Sequence, residues 1–151
     1  MANTQAMTTS FKGELLTATH NFGVAPTRAT TAADTFKAAL YLTTATINAS
    51  TTAYTSTGEV TGTNYSAGGV TVTNATPPAT SGTTAYWTPS ASITYTNVTL
   101  TTAFDAVLIY NSTQSNKAVS VHTFGSQVVT AGTFTLTMPT NDASTGLIRI
   151  A

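Results

Sequence analysis

The side chains of this sequence that could do chemistry are few and far apart. The two histidines, His20 and His122, lie in different parts of the chain, and neither has further metal ligands at the spacing of a zinc site. A Ser-His-Asp arrangement would have to combine one of them with Asp34, Asp105 or Asp142, and no Gly-x-Ser-x-Gly nucleophile turn is present. The sequence therefore predicts no metal site and no nucleophilic catalytic site.

The remaining acids and glycines also favour structural roles. Glu14 and Glu59 are the only glutamates, and nothing in their spacing indicates the paired carboxylates of a glycosidase. We expect Glu59, within Glu-Val-Thr-Gly, to accept backbone or threonine hydrogen bonds at a turn. Gly68 and Gly69 precede neither a helix nor a lysine, so they indicate a turn with positive φ rather than a phosphate site. We predict that the protein is not an enzyme and that it has no catalytic residue and no cofactor.

Charge is scarce in this sequence. Its 151 residues include five Lys or Arg and five Asp or Glu, and only 7% of residues are charged. No basic stretch is available to hold a polyanion, which argues against nucleic-acid and anionic-membrane partners. The first residues lack the pattern of a secretion signal, and no apolar run has the length of a membrane span. With 38 threonines and no cysteine, the chain favours β structure held by packing and hydrogen bonds.

Near the amino terminus, apolar residues recur at helical spacing and predict an amphipathic helix of about three turns. Thr9 or Ser10 could cap this helix, and Gly23 could end it. Two roles remain open for residues 1–34: attachment to a partner surface, or closure of one end of the β domain. The candidate interface residues on its apolar stripe are Phe11, Leu15, Ala18 and Phe22.

Residues 35–151 read as one β domain. Residues 35–42 alternate with a period of two, and residues 103–110 are nearly continuous in apolar character, as in a strand that is covered on both faces. A polar loop at 111–116 and a returning strand at 117–124 predict a hairpin. Residues 92–100 change their in/out alternation near Asn97, which indicates a bulge there.

Further short strands follow from the same patterns. The alternation at 132–138 points Phe134, Leu136 and Met138 inward, and residues 147–150 predict a last strand. Shorter β-prone pieces occupy residues 51–54, 59–63 and 70–73, and turn residues at 77–78 and 81–82 interrupt the chain before residues 85–87. Seven to nine short strands separated by turns predict an all-β fold, an antiparallel β-sandwich or a small barrel with a short N-terminal helix.

Residues 35–41 contain a strand ending in Ala-Leu-Tyr, and residues 58–70 contain a Glu-Val-x-Gly-x-x-Tyr-x-Ala-Gly-Gly segment. A late Ile-Tyr-Asn strand follows in 104–111 with 116–119, and Gly-Thr-Phe-Thr-Leu occupies 132–136. In this order, these stretches together resemble small structural proteins of tailed bacteriophages.

The resemblance implies a virion component, made in the host cytoplasm and decorating or cementing the head as a homo-oligomer. Its partners would be the major capsid protein or other virion proteins. An alternative is a head-fibre, neck or tail module that binds host-surface glycans, since Trp87 and six tyrosines could stack on sugars. Aromatic residues at strand parity more often lie in a core.

Overall fold

The chain forms eight strands and one short helix in the part that the structure describes. This structure is a computed structural model, and it describes residues 3–16, 19–22, 33–74 and 76–151. The elements in chain order are β1 (Ala6–Met7), α1 (Thr9–Leu16), β2 (Phe36–Leu42), β3 (Val70–Val72), β4 (Ala79–Ser81), β5 (Thr84–Trp87), β6 (Ile93–Asn111), β7 (Lys117–Leu136) and β8 (Ile148–Ile150).

The strands are arranged in two antiparallel sheets. One sheet has five strands in the order β1-β7-β6-β2-β3, and the other has three in the order β4-β5-β8. The predicted all-β class, antiparallel pairing and short N-terminal helix are confirmed. Of the two predicted architectures, the arrangement is consistent with a sandwich, because the described strands form open sheets and not a closed barrel.

The β6–β7 hairpin is the longest feature of the fold. The segments predicted as separate strands at 92–100 and 103–110 form the single strand β6, and β7 likewise continues through the predicted strand at 132–138 as far as Leu136. The predicted irregularity near Asn97 is confirmed, since the register shifts between Tyr95 and Val98 and Asn97 has a φ of 53°. Bulges let a long strand bend and keep its apolar residues inside.

Strand β2 lies between β6 and β3 and is buried on both faces. Phe36, Ala38 and Leu40 contribute to the main core, whereas Ala39 and Tyr41 contribute to a second, smaller core on the opposite face. Each face of β6 follows the same division. Burial of both faces explains why residues 38–42 of β2 and residues 106–110 of β6 are entirely apolar or aromatic.

Two of the predicted short strands are wrong. Residues 51–54 and 59–63 contain only isolated pairs, which join Ala53 to Lys117, Glu59 to Tyr41 and Thr63 to Thr99. Residues 58–60 run beside the second half of β2 through backbone hydrogen bonds, while β3 occupies the first half of the same edge. Their backbone groups are therefore satisfied without a regular strand.

The N-terminal helix is shorter than predicted. It has eight residues, and residues 19–22 are not helical, so about two turns are formed instead of three. The predicted cap at Thr9 or Ser10 is also wrong, because the hydroxyl of Thr8 accepts a hydrogen bond from the backbone N–H of Phe11 at 3.4 Å. Thr8 is itself held by the carbonyl oxygens of β7, so the helix start is determined by the sheet.

Candidate functional site

Glu59 is the centre of a buried hydrogen-bond cluster, which we call the Glu59 clasp (Glu59, Tyr54, Tyr65 and Gly68). The side chain is only 6% exposed. Its Oε2 accepts a hydrogen bond from the Tyr54 hydroxyl at 2.7 Å, and its Oε1 accepts from the Tyr65 hydroxyl and the Gly68 N–H, both at 2.8 Å. The prediction that Glu59 accepts hydrogen bonds at a turn is confirmed, although the side-chain donors are tyrosines and not threonines.

Further tyrosines tie the clasp to the sheet. The Tyr65 hydroxyl accepts a hydrogen bond from the backbone N–H of Leu40 in β2. The Tyr95 hydroxyl donates to the carbonyl oxygen of Ala38, and the Tyr110 hydroxyl donates to that of Gly68. Burial raises the pKa of Tyr110 to about 12, and the nearby Glu59 carboxylate adds to the shift. These hydroxyls therefore stay protonated and act as donors across the physiological pH range.

Two glycines let the clasp segment approach its neighbours closely. Gly69 has a φ of 70°, and a Cβ there would lie 1.7 Å from the carbonyl oxygen of Ala38. A Cβ on Gly62 would lie 2.0 Å from the carbonyl oxygen of Thr99. The Glu-Val-x-Gly-x-x-Tyr-x-Ala-Gly-Gly segment is thus a packing motif, in which the glycines permit backbone contact and Glu59 collects the donors.

A second polar cluster holds the N-terminal segment against the hairpin. His20, whose side chain is fully buried, contacts Glu14 through Nε2 at 2.6 Å and the Asn111 amide through Nδ1 at 3.1 Å. The same Asn111 amide donates to Asp34 at 2.7 Å, and Lys117 donates to Glu14. Because the Asn111 amide nitrogen is a donor, His20 Nδ1 is the acceptor and Nε2–H donates to Glu14.

Glu14 is the acceptor that Lys117 and His20 share in this cluster. Burial acts to raise the pKa of the Glu14 carboxyl, but hydrogen bonds from Lys117 and His20 outweigh it and lower that pKa below its usual value. An ionised Glu14 that accepts from both His20 and Lys117 connects the N-terminal segment to the start of β7. The cluster brings Glu14, His20 and Asp34 near one another, which their sequence positions do not indicate.

His122 stands apart from both clusters. It pairs across the hairpin with Val107, and Ser120 pairs with Ile109, so both polar residues lie on the face of the sheet that forms the main core. Ser120 Oγ is 2.9 Å from His122 Nε2. Burial lowers the pKa of His122 to about 4. The sequence indicates that these two side chains share a face, because the period of two in a strand places Ser120 and His122 on the same side.

The candidate interface residues lie largely inside the protein. Phe11 is 1% exposed and Phe22 is 8% exposed, and both belong to the main core with Phe36 and Trp87. The Phe22 ring is 4.4 Å from Phe36 and 4.7 Å from Trp87, measured between centroids. Leu15 is half-buried against this core, and Ala18 lies outside the described residues. Burial of Phe11 and Phe22 in the core of their own chain is the arrangement expected if the N-terminal segment closes one end of the β domain.

The described residues form neither a group of metal ligands nor a membrane-spanning helix. Within 3–16, 19–22, 33–74 and 76–151, His, Asp and Glu do not come together in groups of three that could hold a metal ion. In the same part of the chain, no helix combines the length and the apolar character needed to cross a membrane.

Comparison of the chain with protein-family models, with curated proteins and with solved structures found no match.

Proposed function

We propose that this protein is a structural component of a tailed-bacteriophage virion, a decoration or cement protein that stabilises the head lattice. It would act as a homo-oligomer on the major capsid protein. The observation that carries the proposal is a surface that is almost free of charge. Residues 60–104 and 118–141 contain no Asp, Glu, Lys or Arg, yet they supply most of β6 and β7 and all of β3 to β5.

The exposed side chains of the long hairpin are mainly threonines. On the outer face, Thr94 and Thr135 are directly paired, and Thr96, Thr101 and Thr133 are also exposed. Covering a hydroxyl with a partner costs less than covering an ammonium or a carboxylate, because a buried charge must be paired. The centres of protein interfaces are depleted of charged residues for this reason. A surface of this kind suits a protein that is covered by neighbours on a particle.

The resemblance to phage structural proteins falls on residues that build the framework. The Glu-Val-x-Gly segment forms the clasp, the Ala-Leu-Tyr segment is the doubly buried β2, and the Ile-Tyr-Asn segment ends β6 at Asn111. Residues with such roles would recur among proteins that share this architecture. The resemblance thus supports a shared scaffold, and the charge-free surface supports a role in assembly.

Locating the protein on particles tests the proposal. Virions of the phage that encodes it would be labelled with an antibody against the purified chain and viewed by electron microscopy, beside heads that lack tails and purified tails. We expect label on intact heads and on tailless heads. Label confined to tails or fibres would overturn the decoration role and favour the glycan-binding alternative, and absence from virions would overturn both.

The oligomeric state gives an independent test. We expect a β-rich circular dichroism spectrum and a light-scattering mass above that of one chain, at concentrations on the order of tens of micromolar. A strictly monomeric species under these conditions would contradict the homo-oligomer part of the proposal while leaving attachment to capsid protein to the labelling experiment.

A further inference from the structure

A concave cleft opens on the inner face of the β6–β7 hairpin, and Met138 and Leu147 also line it. Its volume is about 350 Å³, within the range of small-molecule sites. Five apolar side chains that line the cleft are only half-buried, so they contact the main core and also face the opening. These residues are Phe124, Phe134, Leu136, Met138 and Leu147.

The lining of the cleft includes a polar group with a free hydrogen-bonding atom. His122 lines the cleft and uses Nε2 in its contact with Ser120. In the described part of the chain, Nδ1 of His122 makes no hydrogen bond. The other polar side chains of the lining are Thr123, Gln127, Thr135 and Thr137. A buried polar side chain costs stability unless it is satisfied, and in His122 one ring nitrogen remains for a ligand.

The chemistry of the lining selects for an uncharged ligand. The residues around the cleft include no Asp, Glu, Lys or Arg, so a charged group inside it would have no countercharge. Burial holds the pKa of His122 at about 4, and the imidazole is therefore neutral at pH 7.

A hydroxyl group matches either tautomer of the imidazole. If Nε2–H donates to Ser120, then Nδ1 accepts from the ligand hydroxyl. If Nδ1 carries the proton, it donates to the ligand oxygen and Ser120 donates to Nε2. A carbonyl oxygen could serve only the second tautomer.

We propose that this cleft binds a small uncharged molecule with an apolar chain or ring and one hydroxyl, whose oxygen meets Nδ1 of His122. The apolar part lies along Phe134, Leu136 and Met138. The inference stands on the cleft alone and does not depend on the virion role.

The test compares two ligands of equal chain length, 1-octanol and octanoate, titrated into the full-length protein. Binding would be followed by amide chemical shifts and by the imidazole nitrogen signals of His122. We expect saturable binding of 1-octanol with shifts confined to the cleft and the His122 ring, and binding of octanoate at least about tenfold weaker. Equal binding of the two, absence of saturable binding, or shifts outside the cleft would overturn the proposal.

Variants separate the polar contact from the apolar volume. His122→Phe should weaken 1-octanol binding by about tenfold, because the hydrogen bond is lost and the apolar lining remains. Met138→Trp and, separately, Leu147→Trp should fill the cleft and abolish binding. The matched control is Val128→Trp, which adds the same indole at a position that is 61% exposed and does not line the cleft.

Circular dichroism would show whether each variant is folded. If either Met138→Trp or Leu147→Trp does not fold, the other still tests the effect of filling the cleft. Retention of binding in both filling variants, or loss in Val128→Trp, would contradict the proposal. A second copy of the chain in the cleft would instead make the ligand-free shifts of the lining residues depend on protein concentration, and that result would also overturn it.

Discussion

Each of the five carboxylates in this chain accepts a hydrogen bond from the chain itself. Glu14, Asp34 and Glu59 lie in the two polar clusters, Asp105 accepts from the amide of Asn3 at 2.6 Å, and Asp142 accepts from backbone N–H groups of its own turn. In the two clusters, Glu14, Asp34 and Glu59 accept from buried or partly buried donors that the fold would otherwise leave unsatisfied. The effect of removing one should therefore be on stability.

The Glu59 clasp allows this to be measured at one position. Glu59→Leu should destabilise the protein by about 1–3 kcal/mol, because the Gly68 N–H and two tyrosine hydroxyls lose their acceptor while apolar volume is retained. Glu59→Gln is the matched control. Its carbonyl oxygen can still accept from Tyr65 and Gly68, and the Tyr54 hydroxyl can turn to accept from the amide. Urea unfolding measures both, and an equal loss in the two variants would contradict this account.

At the scale of elements, the fold depends on segments that touch β2 and on the segment that closes the end of the core. Residues 58–60 and β3 share one edge of β2, and between them Gly69 lets the chain pass within contact of the Ala38 carbonyl oxygen. The N-terminal segment supplies Phe11 and Phe22 to the same core. We therefore expect substitutions at Gly69 and at Phe11 to lower the stability of the protein.

Gly69→Ala should cost at least about 3 kcal/mol, because the added Cβ would meet the Ala38 carbonyl oxygen in a backbone with positive φ. Gly125→Ala is the control, since Gly125 has open space around its Cβ position and should change stability by less than about 0.5 kcal/mol. Thermal or urea unfolding of the two variants measures the difference. Similar stabilities would show that the clasp segment can move away from β2 at little cost.

The sequence leaves two roles for the N-terminal segment, attachment to a partner surface or closure of the β domain, and stability distinguishes the two. Phe11→Ala should destabilise the isolated protein by about 3–5 kcal/mol, because a fully buried ring is removed from the core. Leu15→Ala, at a half-buried position, should cost less. If Phe11→Ala left unfolding of the isolated protein unchanged while particle binding was lost, the attachment role would be supported and the closing role would be wrong.

At the scale of the whole molecule, the small number of charges leaves tyrosine as the group whose ionisation most affects stability. Burial raises the pKa of Tyr54 and Tyr110 to about 12, and it raises those of Tyr41, Tyr65 and Tyr95 further. The unfolded chain releases these protons near the usual tyrosine pKa of about 10. The stabilisation is therefore fully present below about pH 10 and is lost as the pH rises from about 10 through the folded values.

We accordingly expect the free energy of unfolding to fall steeply above about pH 10 and tyrosinate absorbance to appear together with unfolding. Tyr95→Phe removes one of these groups and should make the loss shallower by up to about 1.4 kcal/mol per pH unit, although the variant loses its hydrogen bond to Ala38. Tyrosinate absorbance that develops in the folded protein well before unfolding would contradict the prediction.

Much of the fold follows from local patterns in the sequence. The alternation of β2, the turn at residues 111–116 and the change of parity at Asn97 are each properties of a few neighbouring residues, and all three occur as predicted. The helical spacing predicts too long a helix, because Phe22 is buried in the same core as Phe11 but lies outside the helix. The two side chains reach one core from different backbone conformations. Periodicity reports burial, and it does not report which backbone achieves the burial.

The sequence by itself determined the class of the protein: all-β, poor in charge, rich in threonine and free of disulfides. It also indicated that Glu59 would accept hydrogen bonds. Only the tertiary structure decided which donors Glu59 receives, why Gly62 and Gly69 must be glycine, and that Glu14, His20, Asn111 and Asp34 meet in one cluster. These contacts join residues that are far apart in the chain, and the pairing of β6 with β2 and β7 sets their distances. A local pattern carries no information about such a distance until the strands have chosen their partners and register.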